Sequence, residues 1–410
     1  MTAHRWAWAE IDLNAIRANV DAFRALVSEV ALEAAATSKR VPKTPRIMAV
    51  VKADAYGHGA VTVARAALAA GASWLGVATP DEALELREAG ITAPLLLLSE
   101  PPETALPELV AANVTCTAGS LDFLHTLSGY GMLNNEEITY HLKVDTGMNR
   151  IGVRADQAVS VLREAAELPK LKLGGVFTHF ATADSALDWD AQQQLERFQG
   201  VLRRANDIGI KPPVVHAANT AATMLMPGAH FDMVRIGIGL YGLHPSDDTR
   251  KVLDLTPAMS VRARATLVKP LAMGEGVGYG LTWRAVRPVH LATLPLGYAD
   301  GIPRLCSNKM DVLIGLSGKR IEQVGNVCMD QMMAAASPAD GIQTADEFVL
   351  MGAADRSADT RDLARAVRDH THRKIEGFIP ADEIAEQAET ITYELVCGLG
   401  QRLEKVYLNA

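Results

Sequence analysis

The sequence predicts an α/β protein: a (β/α)8 barrel of the TIM type over residues 14–254, then a mostly β domain over 255–410. The N-terminal strand, 1–13, is a candidate to join the second domain. Three observations lead there. Short apolar runs rich in Val, Ile and Leu alternate with helical stretches through the first part of the chain, and eight of them can be counted. After about residue 255 a period-two alternation replaces that beat. A length of 410 residues also exceeds one ordinary domain and suits two. A doubly wound open sheet is the runner-up for the first domain.

The elements follow in order. After Leu13, the residues Ile16, Val20, Phe23, Val27 and Val30 recur at helical period, with Asn14 as N-cap. IMAVVK (47–52) is a β-branched run that reads as a buried strand. AVTVARAALAAG (60–71) is a helix stopping at Gly71, and WLGVA (74–78) is the next strand. The following helix has Thr79 as N-cap, Pro80 in its first turn, Asp81 and Glu82 on its dipole, and Gly90 as its stop. Further strands are expected at 94–99, 114–117, 138–145, 173–180, 213–219 and 232–242. Beyond the seam, strands are expected at 260–271, 286–296, 311–316 and 319–327, with late helices near 360–368 and 381–398.

Composition excludes several classes. With 49% hydrophobic and 21% charged residues the chain fills a large core and is not disordered. A net charge of −8 with no Lys/Arg block argues against a nucleic-acid binder. The longest apolar stretches are far too short to span a membrane, and the N-terminus lacks the pattern of a signal peptide. Cys116, Cys306, Cys328 and Cys397 show no CxxC spacing, which suits free thiols and a cytoplasmic location. Eleven histidines include no HExxH pattern; His370 and His372 are the nearest pair, and no metal is expected.

Chemistry concentrates at strand ends. GIGLYG (237–242) matches a dinucleotide fingerprint, but it follows a late strand rather than the first. Glycines there suit a single phosphate, because barrel phosphate sites form after strands seven and eight. Lys52 follows four apolar residues at the end of the first barrel strand, inside AVVKADAYGHG. Such a lysine is ordinarily a snorkelling rim side chain, but a desolvated amine at a barrel's active end forms Schiff bases. Lys143, Asp145 and Arg150 surround a later strand end, and His179 another. Asn219 and Thr220 open a helix and suit phosphate, and Arg235 stands two residues before Gly237. A strand-end Arg or His by itself ordinarily satisfies backbone carbonyls. Together these residues make the inventory of a pyridoxal phosphate site.

From about residue 9 to about 400 the chain resembles the barrel-type (fold type III) pyridoxal-phosphate family of alanine racemases. The resemblance is carried by AEIDLNAIRANV, VVKADAYGHG, HLKVDTGMNRIG, THFATAD, HAANTAA, VRIGIGLYG, GVGYGLTW, LGYADG and GNVCMDQ. It implies a homodimer with shared sites that interconverts L- and D-alanine with pyridoxal 5'-phosphate, supplying D-alanine for peptidoglycan. Lys52 would hold the cofactor covalently and act as one base, with Tyr279 of the partner subunit as the other. Arg235 would bond the pyridine nitrogen, with His179 beside the ring. Tyr56, Thr220 and the backbone N–H groups of Gly237 and Ile238 would contact the phosphate. Arg150 and Met329 would meet the substrate carboxylate, Tyr298 would line the entrance, and Lys143 matches a lysine that some members carry N-carboxylated. One departure stands out: Gln401 occupies the place of a usual tyrosine, with Glu404 for a proline and Lys405 where a basic residue is common. The alternatives are a serine-preferring or broad racemase on the same scaffold, a non-catalytic cofactor-binding regulator, and a decarboxylase. Arg235 opposes the decarboxylase, since that pattern has an acidic residue at the pyridine nitrogen.

Overall fold

The structure, a computed structural model, describes residues 5–38, 43–185, 189–369, 374–400 and 402–410. The chain opens with strand β1 (Ala7–Asp12), which leads directly into a long helix, Leu13–Ser38. Asp12 Oδ1 accepts the Asn14 N–H at 2.9 Å, so the cap expected at Asn14 falls on Asp12 instead. The helix turns Ile16, Val20, Phe23 and Val27 into the core, as its 3.6-residue spacing requires.

Eight parallel strands form the barrel: β2 (Arg46–Val50), β3 (Trp74–Val77), β4 (Leu95–Leu97), β5 (Cys116–Ala118), β6 (Ile138–Asp145), β8 (Leu171–Phe177), β9 (Val215–His216) and β10 (Met233–Ile236). The two-residue strand β7 (Val153–Arg154) pairs with β6 outside the ring. Neighbours pair in the order β4-β3-β2-β10-β9-β8-β6-β5. The ring is completed where Leu96 faces Thr115, with Leu97 N–H on Thr115 O and Thr115 N–H on Leu95 O. The strands are short and nearly all buried, which accounts for their continuous apolar runs.

All eight expected runs overlap a barrel strand; 138–145 coincides with β6, and the other seven have changed ends. The run 232–242 is the most altered. Only Met233–Ile236 is strand, and Ile238–Tyr241 is a 3-10 turn. The run 213–219 contains a strand of two residues, because Asn219 caps the helix Thr220–Leu225.

The second unit is built on an antiparallel sheet. Its strands are β11 (Met259–Arg264), β12 (Leu267–Leu271), β15 (Val289–Leu294), β16 (Asp311–Ile314), β17 (Lys319–Val324), β18 (Met332–Ala336), β19 (Glu347–Ala353), β20 (Phe378–Ile379) and β21 (Glu404–Leu408). A separate ribbon pairs β13 (Gly276–Val277) with β14 (Trp283–Arg284). The expected strand 260–271 is therefore two, β11 and β12, and the late helix 381–398 divides into Ala381–Gln387 and Thr392–Gly398. β1 lies in this sheet, antiparallel to β11 and parallel to β21. Thus the first and last strands of the chain are neighbours, and both adjoin the barrel's long first helix. A buried ion-pair group fastens β1 there. Arg262, 1% exposed, binds Glu10 at 2.7 Å and Glu347 at 2.9 Å, and Arg356 also reaches both carboxylates. No helix among the described residues is long and apolar enough to cross a membrane.

Candidate active site

The carboxyl ends of the barrel strands gather the charged residues. Lys52 lies one residue beyond the end of β2, after Val51, and begins a turn of unusual hand. Ala53, Asp54, Ala55 and Tyr56 all have φ between 51° and 54°, a left-handed helical turn that disfavours each L-residue by about 1–2 kcal/mol. Neighbouring groups offset that strain. Glu82 Oε1 accepts the Ala53 N–H at 2.7 Å, and Asp54 Oδ1 accepts the Ala60 N–H at 2.7 Å. Lys405, from β21, binds Asp54 Oδ2 at 2.6 Å. Gly57 ends the turn with φ +79°, where an added Cβ would sit 2.3 Å from Val396 O. Burial lowers the Lys52 amine below its ordinary value, Arg150 lowers it further, and Glu82 and Cys397 oppose them.

Arg235, on β10, projects into the barrel and is 3% exposed. It donates to Thr178 O and Ala217 O at 2.8 Å, to His216 Nδ1 at 3.0 Å and to His179 Nδ1 at 3.1 Å. A guanidinium has donors only. Both histidines therefore accept at Nδ1 and carry their proton on Nε2. His216 Nε2–H then donates to His141 Nδ1 at 3.0 Å, which leaves the His141 Nε2–H without a partner. The ring of His141 occupies space left by Gly174 and Gly175, where a Cβ would lie 2.8–3.1 Å from the imidazole. Burial and the nearby cations hold His179 and His216 well below the usual histidine range, so both are neutral near pH 7. Burial brings Arg235 down to about 9, still protonated at neutral pH.

Lys143, on β6, lies over the Phe177 ring at 4.9 Å and is 4% exposed. Burial, Arg235 and Arg150 bring its amine down to about 7, while Asp145 opposes them. Arg150 is exposed, in a loop shaped by Asp145 Oδ1, which accepts the N–H groups of Gly147 and Asn149.

Between β9 and β10 the backbone forms a cradle. Thr220 Oγ1 accepts the Gly237 N–H at 3.0 Å and the Gly239 N–H at 3.4 Å. A Cβ on Gly237 would lie 2.8 Å from the Tyr56 hydroxyl. Tyr56, Thr220, Gly237 and the start of the Ile238 turn therefore converge. Burial pushes the Tyr56 phenol up, so it remains a hydrogen-bond donor. Asn219 caps its helix, Oδ1 accepting the Ala222 N–H at 2.9 Å.

Tyr279, Tyr298 and Met329 stand apart from this barrel group. They are 76%, 43% and 53% exposed and sit on linked loops of the second unit. Asn326 Nδ2 holds Tyr279 O at 2.7 Å, and the N–H groups of Tyr298 and Ala299 bond Cys328 O and Met329 O. The groups acting on the charge of Lys52 are Arg150, Glu82 and Cys397; Tyr279 is not among them. Gln401, His370 and His372 lie outside the described residues. Sequence reading missed Glu82 as a partner of the Lys52 turn, although Thr79-x-x-Glu82 was legible as a capping box. It also missed His216 and His141, for which a strand of only two residues at β9 and a nearly all-buried β6 offered no alternation to read.

Residues 11–245 match the model of the alanine racemase N-terminal domain, and residues 258–374 that of the alanine racemase C-terminal domain. An alanine racemase of Symbiobacterium thermophilum is 41% identical over 98% of this chain and 97% of its own. A crystal structure of an alanine racemase from D-cycloserine-producing Streptomyces lavendulae superposes with a TM-score of 0.84 at 35% identity, covering 99% of this chain and 98% of the other. One from Bartonella henselae, described with covalently bound pyridoxal phosphate, gives 0.80 at 26% identity over 98% and 99%. Matched over both units and nearly its full length, the chain belongs to the alanine racemase family and is an amino-acid isomerase.

Proposed function

We propose that this protein interconverts L- and D-alanine with pyridoxal 5'-phosphate, in a homodimer whose two sites are each completed by the other subunit. The observation that carries the cofactor reading is the convergence of Tyr56, Thr220 and Gly237 into a cradle too tight for a Cβ, on the same barrel end as a desolvated Lys52 and a buried Arg235. These residues fit the cofactor. Lys52 would hold its aldehyde carbon, and Arg235 its ring nitrogen, with His179 beside it. Tyr56, Thr220 and the N–H groups of Gly237 and Ile238 would hold its phosphate, with Asn219 fixing the helix start beneath. The bound cofactor supplies the electron sink that makes an α-hydrogen removable.

The residues of this chain then divide the work. Lys52, with its amine lowered by burial, exchanges a proton on one face of the substrate. Tyr279 of the partner subunit exchanges one on the opposite face, which inversion requires. Arg235 keeps its own proton, and would offer the ring nitrogen a hydrogen bond without transferring it, which would moderate the sink. Arg150 takes the substrate carboxylate together with Met329, and Tyr298 narrows the entrance. Lys143, neutral in part at pH 7, is open to carboxylation by carbon dioxide: its nitrogen bonds the carbon and releases one proton, leaving a carbamate anion between Arg150 and Arg235. The product D-alanine would serve peptidoglycan assembly.

The exposure of Tyr279 on the unit opposite Lys52 supports shared sites. Mixing inactive Lys52→Ala and Tyr279→Phe subunits tests this, with heterodimers regaining activity through one intact site. No regain despite confirmed subunit exchange would refute it. Faster turnover of L-serine or L-lysine than of L-alanine would refute the substrate.

A further inference from the structure

We propose that Glu82 is a positioning residue for Lys52: its carboxylate ties the ends of β2 and β3 together and so holds the left-handed turn that presents the amine. This rests on the reading of Lys52 as the residue that captures the cofactor. Glu82 Oε1 accepts the Ala53 N–H, next in sequence to Lys52, at 2.7 Å. Its Oε2 accepts the Ala78 N–H, just past β3, at 2.7 Å, and the Thr79 N–H at 3.3 Å. The carboxylate thus serves two adjacent strands, one oxygen each. Capping alone would use only the second oxygen, because the Thr79 hydroxyl and the Glu82 N–H complete the helix start between themselves.

The turn needs such a partner. Four consecutive non-glycine residues in the left-handed region are unfavourable in isolation. The remainder of the turn is held through Asp54, by Ala60 N–H and Lys405. Asp54 anchors the far end, and Glu82 the end that carries Lys52. A carboxylate is also the acceptor whose charge best compensates the amine. The charged or titratable groups facing Lys52 include Arg150, Glu82, Cys397 and His179, and Glu82 is the carboxylate among them. Removing its charge leaves Arg150 less opposed. The amine then titrates lower, and the turn loses its anchor at Ala53.

The test uses the full-length protein stripped of cofactor. Pyridoxal phosphate is added, and the rate of covalent capture is followed by absorbance across pH. Glu82→Gln is expected to slow capture about tenfold and to move its pH midpoint downward, since one amide oxygen cannot serve both strands and carries no charge. Glu82→Asp keeps the charge on a shorter arm, and is expected to slow capture while leaving the midpoint near wild type. Thr79→Val disrupts the helix start but spares the carboxylate, and is expected to lower the melting temperature without moving the midpoint. A midpoint in Glu82→Gln equal to wild type, with capture within twofold, would overturn the proposal. So would a midpoint shift of the same size in Thr79→Val. Should Glu82→Gln fail to fold, a moved midpoint in Glu82→Asp would overturn the charge role. Lys52→Ala distinguishes the two readings: covalent capture persisting there would overturn the assignment of Lys52, whereas capture lost there but unaffected in Glu82→Gln would overturn Glu82 alone.

Discussion

Lys143 offers the most exacting check on the electrostatics of the barrel. Replacing it with Met keeps the length and most of the volume of the side chain and removes the amine. The wild-type amine is 4% exposed, faces Arg235, Arg150 and Asp145, and titrates at about 7 in the folded protein against 10.5 when free. Below pH 7 the amine is charged in both folded and unfolded chains, so the full penalty of burying that charge is present. It amounts to about 5 kcal/mol, at roughly 1.4 kcal/mol per pH unit between the two values. Between about 7 and 10.5 the unfolded chain binds a proton that the folded chain has released, so stability rises with pH. Above 10.5 the penalty is gone. Urea denaturation of cofactor-free protein in buffers purged of carbon dioxide reads this directly. Lys143→Met is expected to be the more stable protein at pH 6.5 and to lose that advantage steadily toward pH 10. Adding bicarbonate at pH 8 is expected to stabilise wild type and leave the variant unchanged, because only a carbamate can meet Arg150 and Arg235 with opposite charge. Parallel stability curves for the two proteins from pH 6.5 to 10 would refute the buried-amine reasoning. A bicarbonate response shared by the variant would refute the carboxylation.

Three further outcomes follow from particular contacts. Glu10→Ala leaves Arg262 buried with only Glu347 for an acidic partner, and is expected to lose about 3–5 kcal/mol in chemical denaturation. Thr220→Val removes the hydroxyl that receives the Gly237 and Gly239 N–H groups; equilibrium titration of the cofactor-free protein with pyridoxal phosphate is expected to show about tenfold weaker binding, worth one hydrogen bond to a charged group. His58 is fully buried, between Asp54 and Lys405 in its electrostatic surroundings, and burial holds it down to about 4 against 6.5 when free. Stability is therefore lost as pH falls from 6.5 to 4, by up to about 3 kcal/mol, and His58→Phe is expected to flatten that acid limb in melting experiments.

The barrel was legible because its strands are buried on both faces, so runs such as 47–52 and 94–99 are continuously apolar. Their ends were not, because caps and backbone turns decide where a strand stops. Asn219 ends β9 by capping a helix, and Gly237 ends β10 by opening a 3-10 turn. Charged residues at strand ends could be collected from the sequence, since the barrel brings every carboxyl end to one rim. The left-handed turn after Lys52 could not. Ala53, Asp54 and Ala55 have no intrinsic preference for positive φ, and what holds them lies far away at Glu82 and Lys405. The chain of His141, His216 and Arg235 was hidden for the same reason: it joins three strands by side chains whose positions depend on register.

That chain also bears on how an acidic protein would serve the anionic ligands proposed for it. The net charge of −8 gives no general attraction for a phosphate or a carboxylate. At the barrel rim, however, Arg150 lies close enough to lower the proton affinity of Lys52, and Arg235 and Arg150 close enough to lower that of Lys143. Had His179 and His216, the two histidines beside Arg235, been charged as well, the group would have been too repulsive to bury. Burial disfavours that charge first, and Arg235 opposes it further by donating to both rings, because a ring nitrogen that accepts a hydrogen bond cannot hold a proton of its own. The histidines therefore supply orientation without charge, and the cations keep a mutual repulsion that Glu82 and Asp145 oppose. An incoming phosphate or carboxylate, or a carbamate on Lys143, would remove repulsion that folding has already built in. Binding at this site should accordingly weaken less with added salt than an exposed cluster of four cations would, since most of the interaction is screened from solvent.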